Sequence, residues 1–468
     1  MKIYAPNIHL FAFQLFKGSN LDASSLSSNK ISLWEAAEKI VQSTLHQSLN
    51  LGQLVDVNKE LGSRRVDLLK ESEVKNGDYS LPFQGQVSLD DSQQVVIKGF
   101  AYPLRLHDSY GLWLNLRRPE QEDDGALTEN VDVGLLGKLN PSHCLTIEDS
   151  PLFLGQTLLI TAWLKGFSYR SDVGIIATEC LTSLFKNSDK LPPLNCRGEL
   201  FGSPIFEYGL FSQLDSYQHI LIWLFSDKRA DDKLNQCYQE LLDLFFYRHK
   251  IIKAFKDSRR IYNKLVLSYQ SVENLMNSLP QINNDKALTR DDFSKLKNQL
   301  RSLPNLALEY TQLLRNLEEY QNTIAINEYN YTEKLQQIQT VTGESQLFFL
   351  ESFSEETSPF FQKQIQSDIG YFRHGSTLLE QTISSMRGIV EIEQTERDRS
   401  LETTIQVVGV GLGAGAIVSG VVTQHIDKPF ASISVSNPPH PMVSSLFWSI
   451  LATLFFGALA WFWTRWKR

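Results

Sequence analysis

Near the C-terminus lie two long stretches free of Asp, Glu, Lys and Arg. The first runs from Thr403 to Ile426 (TTIQVVGVGLGAGAIVSGVVTQHI). The second runs from Pro429 to Thr464, and its apolar part, LFWSILATLFFGALAWFW, spans Leu446 to Trp463. A helix rises about 1.5 Å per residue, so roughly 20 apolar residues cross a hydrocarbon core of about 30 Å. Both stretches are long enough. They predict transmembrane helices over 403–424 and 444–464, an external connection over 425–443 and a basic tail over 465–468. Arg465, Lys467 and Arg468 end the chain, and Arg387, Arg397 and Arg399 precede the first span, whereas the connection carries only Asp427 and Lys428. The positive-inside tendency then places both termini in the cytoplasm of a cell-membrane protein with two spans. Trp448 at one end of the last helix, with Trp461, Trp463 and Trp466 at the other, fits anchoring at the two interfaces.

The first span repeats small residues every four positions: Gly411, Gly415 and Ser419; Gly409 and Gly413; Ala416 and Gly420. Residues four apart share a helix face, and without bulky side chains two backbones approach closely. This glycine-zipper pattern suits either a tight oligomeric bundle or packing on the chain's own second span. The same string matches GxGxxA at Gly411, Gly413 and Ala416, but a dinucleotide site needs a strand before it and a soluble helix after it. A charged helix precedes it here, and the apolar run continues.

Residues 1–226 read as an α+β cytoplasmic domain. IHLFAFQLF, QQVVIKGFAYPL, YGLWLNL, TLLITAWL and HILIWLF are strand-like, and SLWEAAEKIVQSTLHQSL is a helix with Ser32 and Glu35 spaced as a capping box. The opening MKIYAPNIHLFAFQLF has aromatics at alternating positions and no cleavage site, which fits a first strand better than a signal peptide. The segment from Arg118 to Asn130 reads as a solvated loop. Four widely spaced cysteines (Cys144, Cys180, Cys196 and Cys237) form no metal or disulfide pattern and read as buried free thiols.

From about residue 227 to 402 the chain reads as a stalk of long, antiparallel, coiled-coil-like helices. Glycine is absent from Ala230 until Gly343. Alternating steps of four and three from Leu234 give Tyr238, Leu241, Phe245, Arg248, Ile252, Phe255, Arg259, Tyr262, Val266 and Tyr269, a seam apolar or aromatic except at its two arginines. A second helix is expected from Thr289 to Thr340, bent or restarted at Pro304. A third begins near Gly343, meets Pro359 and continues from about Phe360 with no further proline before the first span, so it predicts one rod on the order of 90 Å long from Phe360 into the bilayer.

An α/β domain, long helices, a last helix entering a first span, a short outer connection, a second span and the ending WTRWKR together resemble the CorA-like magnesium transporter superfamily. The resemblance implies a homo-oligomer of five copies around the first span, passing a divalent cation such as magnesium. It also implies cytoplasmic domains that sense divalent cations. The family's Gly-Met-Asn signature after the first span is absent, since Gln424, His425, Ile426 and Asp427 stand there. Candidate pore-lining residues are Thr404, Gln406 and Ser419, with Gln424, His425 and Asp427 toward the outer mouth. Neutral oxygens and amides suit a hydrated cation, and a ring of carboxylates concentrates cations.

Other activities find little footing. No P-loop, GxSxG or HExxH occurs, and the nine histidines are scattered, so an enzyme is not expected and neither a catalytic residue nor a bound cofactor is assigned. A net charge of −8 disfavours nucleic acid as a partner. The expected partners are the lipid bilayer, further copies of the chain and an unknown protein on the N-terminal domain. The alternative to transport is a non-conducting, membrane-anchored scaffold or sensor.

Overall fold

The structure is a computed structural model that describes residues 1–16, 32–59, 65–90, 93–164, 173–186, 188, 190–277, 289–423 and 441–466. Its strands are β1 (Lys2–Leu15), β2 (Arg65–Asp67), β3 (Leu81–Asp90), β4 (Gln93–Leu106), β5 (Ser109–Arg117), β6 (Val131–Asp132), β7 (Phe153–Trp163), β8 (Leu194–Leu200), β9 (Ser203–Tyr208) and β10 (His219–Phe225). They form one mixed sheet in the order β2-β4-β5-β1-β7-β10-β9-β8, with β3 also on β4 and β6 on the start of β1. β1 lies between β5 and β7, antiparallel to both, and β10 runs parallel to β7.

The alternation within β1 explains its central place. Ile8, Leu10 and Ala12 face one side, where they join a core with helices α1 (Ser32–Leu45), α2 (Leu51–Leu54), α3 (Leu135–Lys138) and α4 (Val173–Leu184). His9, Phe11 and Phe13 face the other side. There Phe11 meets Phe245 (ring centroids 5.3 Å apart) and Phe13 meets Phe246 (5.5 Å), both on α5 (Lys228–Asn277). Burying each such ring contributes about 1.5–3 kcal/mol, so a strand covered on both faces is apolar almost throughout. The β8–β9 hairpin turns on Phe201 and Gly202, both at positive φ, as a two-residue turn matched to strand twist requires.

After α5 come α6 (Arg290–Thr342), α7 (Phe348–Ser352), a π-helical turn (Phe353–Thr357), α8 (Ser358–Thr423) and α9 (Pro441–Trp466). An N-terminal sheet domain is therefore followed by long helices, as expected. The expected restart at Pro304 is not found: α6 passes through it as one helix, and the proline lies on an exposed face. Asp292 N–H donates to Thr289 Oγ1, whose hydroxyl reaches back to the Asp292 carboxylate, capping the start of α6. Gly343, at φ 66°, ends it.

The chain divides into two compact units, Met1–Val266 with Gln312–Phe372 and Leu267–Thr311 with Arg373–Arg468. In the first, α5 meets α8 through Phe255 stacked on Phe361 (3.9 Å), an Arg259–Asp368 ion pair, and Tyr262 against Phe372 (5.4 Å). In the second, Gly375 lies where a Cβ would strike the Tyr269 and Tyr310 side chains, and Arg397 covers the Phe293 ring at 4.4 Å. Among the described residues one helix, α9, is long and apolar enough to cross a membrane, over Leu446–Trp463, and none of that stretch is buried.

Candidate functional site

The residues expected to line a pore are only partly described. Thr404 and Gln406 lie on exposed positions of α8, and Thr404 Oγ1 donates to the Ser400 carbonyl at 2.9 Å. Two positions along a helix turn about 200°, so these two side chains point in nearly opposite directions. Ser419 is on the same helix with its side chain outside the described set, and Gln424, His425 and Asp427 lie outside the described residues.

The small-residue stripe divides. Gly411 is buried, and a Cβ there would lie 3.1 Å from the Thr453 carbonyl oxygen and 3.5 Å from Gly457 Cα. This is a backbone-to-backbone approach of α8 and α9, of the kind only small residues permit. A Cβ on Gly409 or Gly413 would meet nothing within 4 Å, and Ala416 is exposed. The surroundings of Gly415 and Gly420 lie outside the described set.

In the sheet domain, the first arginine of the α5 seam anchors a buried polar cluster. Arg248 pairs with Glu207 of β9, reaches Tyr217 Oη at 3.4 Å and lies over the Phe353 ring at 4.2 Å. Burial opposes its charge, but Glu207 and Tyr217 more than offset this and raise its pKa. His219 Nε2 is 3.5 Å from Glu207, and Thr157 Oγ1 is 2.8 Å from both His219 Nδ1 and His249 Nε2. Burial, then the Arg248 charge, lowers both histidines, His249 to about 3. Gly155, at φ 145°, makes room for the His249 ring, because a Cβ would collide with it. Arg248, Glu207, His219, His249 and Thr157 are buried, so the cluster ties β7, β9 and β10 to α5.

A cleft of about 740 Å³ opens between the sheet's end, α5 and α6. Its floor is apolar (Leu15, Leu154, Phe246 and Ile326 among others), and Lys250, Lys253, Arg260 and Lys264 bring four cations against Asp108 and Asp257. Lys250 Nζ donates to both Asp108 oxygens at 2.7 and 2.8 Å. Burial works against the Asp108 carboxylate, but Lys250 prevails and lowers its pKa. Asp257 is shared by Lys253 (3.2 Å) and Arg260 (3.1 Å), leaving a cationic surplus at the rim. Sequence reading missed this cleft, although its lysines recur at helical spacing on α5.

Among the described residues no three His, Cys, Asp or Glu side chains gather as metal ligands. The four cysteines are free, three of them buried. No family model, curated protein or solved structure matches the chain.

Proposed function

We propose that the chain is a homo-oligomeric, CorA-like integral membrane protein with two spans, 403–424 and 444–464, and both termini cytoplasmic. It passes a divalent cation such as magnesium through a pore around the first span, with a divergent outer mouth at Gln424, His425 and Asp427. The observation that carries this reading is α8. Its 66 residues run unbroken from Ser358, beside α5 of the sheet domain, to Thr423 at the end of the first apolar stretch. A single helix transmits rotation or displacement along its length, which is what a ligand-gated pore requires of its stalk. The approach of Gly411 to Gly457 supports a paired first and second span. The open Gly409 and Gly413 leave small residues for a neighbouring copy.

A second reading, the non-conducting anchored scaffold or sensor, is favoured by the missing Gly-Met-Asn signature and by the cationic cleft, which suits an anionic partner. One experiment separates them: flux of magnesium, cobalt and nickel into proteoliposomes holding the full chain, with oligomeric mass measured in the same preparation. A defined oligomer with flux above empty liposomes supports transport. A defined oligomer without flux for any of the three ions sinks transport and leaves the scaffold, and a monomer sinks the CorA-like assembly altogether.

A further inference from the structure

A second cleft, of about 670 Å³, lies on the α5 side of the sheet where β1, β5 and the segment after β5 meet the start of α5. Its lining is mostly polar and carries both signs of charge: Arg117 and Arg118 at the end of β5, Glu120 just beyond, and Asp231 in the first turn of α5. Phe100, Trp113 and Tyr238 supply an aromatic wall.

Two buried lining atoms are left without a hydrogen-bond partner. Asn115 is fully buried. Its Nδ2 donates to Asn7 Oδ1 and to the Ile8 carbonyl (3.3 Å) and lies 3.1 Å from His9 Nδ1, so its orientation is fixed. Its Oδ1 accepts nothing. Arg118, 7% exposed, pairs with Glu122 through Nη2 at 3.7 Å, but its Nε–H donates to nothing. A buried polar atom left unpaired costs about 1–3 kcal/mol, so such an acceptor and such a donor in one cleft call for a ligand that brings both.

His9 sets the polarity of the floor. Trp113 Nε1–H donates to His9 Nδ1 at 3.2 Å, so the ring is protonated on Nε2, which faces Tyr238 Oη at 3.3 Å. Burial, then the charge of Arg117, lowers the His9 pKa to about 3 and keeps it neutral. The Tyr238 hydroxyl, accepting from His9, keeps its own proton to donate. At the other side, burial and then the nearby Glu120 and Asp232 raise the pKa of Asp231. Negative charge is thus in excess around Asp231, and positive charge around Arg117.

We propose that this cleft binds a small zwitterion of the amino-acid type. The ligand's carboxylate lies toward Arg117 and Arg118, and its ammonium lies toward Asp231, Glu120 and Asn115 Oδ1, beside the aromatic wall. Guanidinium groups suit carboxylates, and aromatic faces suit an ammonium. A free polyol would fill the hydrogen bonds but leave both excess charges unanswered. A simple amine or a simple carboxylic acid would answer only one.

The test is calorimetric titration of the full-length protein in detergent with each common L-amino acid, and with the amine and the acid obtained by deleting its carboxylate or its ammonium. At least one amino acid is expected to bind with a Kd below about 10 mM, and both truncated analogues at least about tenfold more weakly. Arg117→Gln and Asp231→Asn, both at the accessible rim, should each weaken binding at least about tenfold while leaving the thermal unfolding midpoint unchanged. No binding by any amino acid overturns the proposal. So does equal binding by an amine alone, tighter binding of sorbitol or glucose, or affinity that neither variant changes.

Discussion

Arg248 illustrates how a single residue in an apolar seam constrains its neighbours. It is buried against Glu207, with His219 and His249 kept neutral nearby. Removing one partner of a buried pair leaves the other charge without compensation, which costs about 3–5 kcal/mol. Arg248→Met and Glu207→Gln are each expected to lower the denaturant midpoint of the sheet domain, followed by tryptophan fluorescence. The double variant should recover more than half of the summed loss; strict additivity would refute the coupling. The histidines add a dependence on pH. Unfolded histidine takes up a proton near pH 6.5, whereas folded His9 and His249 resist to about 3. Between those limits the unfolded state binds more protons, so stability falls on acidification by about 1.4 kcal/mol per pH unit for each such histidine. Unfolding measured from about pH 6 down to about pH 4, inside those limits, should approach this slope, and His249→Gln should reduce it. The sequence signal for these sites was faint but present. His9 in IHLFAFQLF and Asn115 in YGLWLNL are polar residues inside strands apolar on both faces, and they pair across β1 and β5. The partners of the two seam arginines are not legible in sequence, because Glu207 and Asp368 lie 41 and 109 residues away from Arg248 and Arg259 in the chain.

Among the elements, strand β1 and helix α8 mark what periodicity can and cannot reveal. The runs that became β1, β4, β5, β7 and β10 were legible because they carry long apolar or alternating patterns. β3 (LPFQGQVSLD), β8 (LNCRGEL) and β9 (SPIFEY) were not, since strands toward the sheet's edges bury less and mix polar residues without a clean period. α6 does not restart at Pro304, since one missing N–H on an exposed face leaves the rest of a 53-residue helix intact. For α8 the glycine pattern suited two packings, and the backbone approach at Gly411 assigns that position to α9. Gly411→Leu would push a side chain into the Thr453 carbonyl and Gly457, whereas a Cβ at Gly413 meets nothing within 4 Å among the described residues. Gly411→Leu is therefore expected to lower the thermal midpoint of the detergent-solubilised monomer or oligomer alike. Gly413→Leu should leave intrachain stability unchanged and reduce oligomeric mass if the open glycines contact another copy. An unaltered oligomer in Gly413→Leu would remove the small residues from the oligomer argument, whatever its flux.

For the whole molecule, the two-span arrangement makes a geometric demand that chemistry can test. If 403–424 and 444–464 both cross the bilayer, residue 437 lies on one side, and residues 400 and 467, before the first stretch and after the second, lie together on the other. The native cysteines help. Burial raises their thiols to about 11 at Cys144 and about 12 at Cys180, Cys196 and Cys237, so the reactive thiolate is scarce near neutral pH. A single introduced cysteine should then stand out against a low background without stripping the native ones. In intact cells, Asn437→Cys is expected to react with a membrane-impermeant maleimide, and Ser400→Cys and Lys467→Cys to react only after permeabilisation. Labelling of 400 and 437 from the same side, with 467 on the other, would mean that the first apolar stretch does not cross. α9 would then be the sole anchor, and the pore would lose its lining helix. The inverted pattern, with 400 and 467 outside and 437 inside, would keep two spans but invert the protein, placing the sheet domain and both clefts outside the cytoplasm. Of the two functional readings, transport depends on this result directly: a pore around the first span requires that the span exist. The scaffold requires only α9.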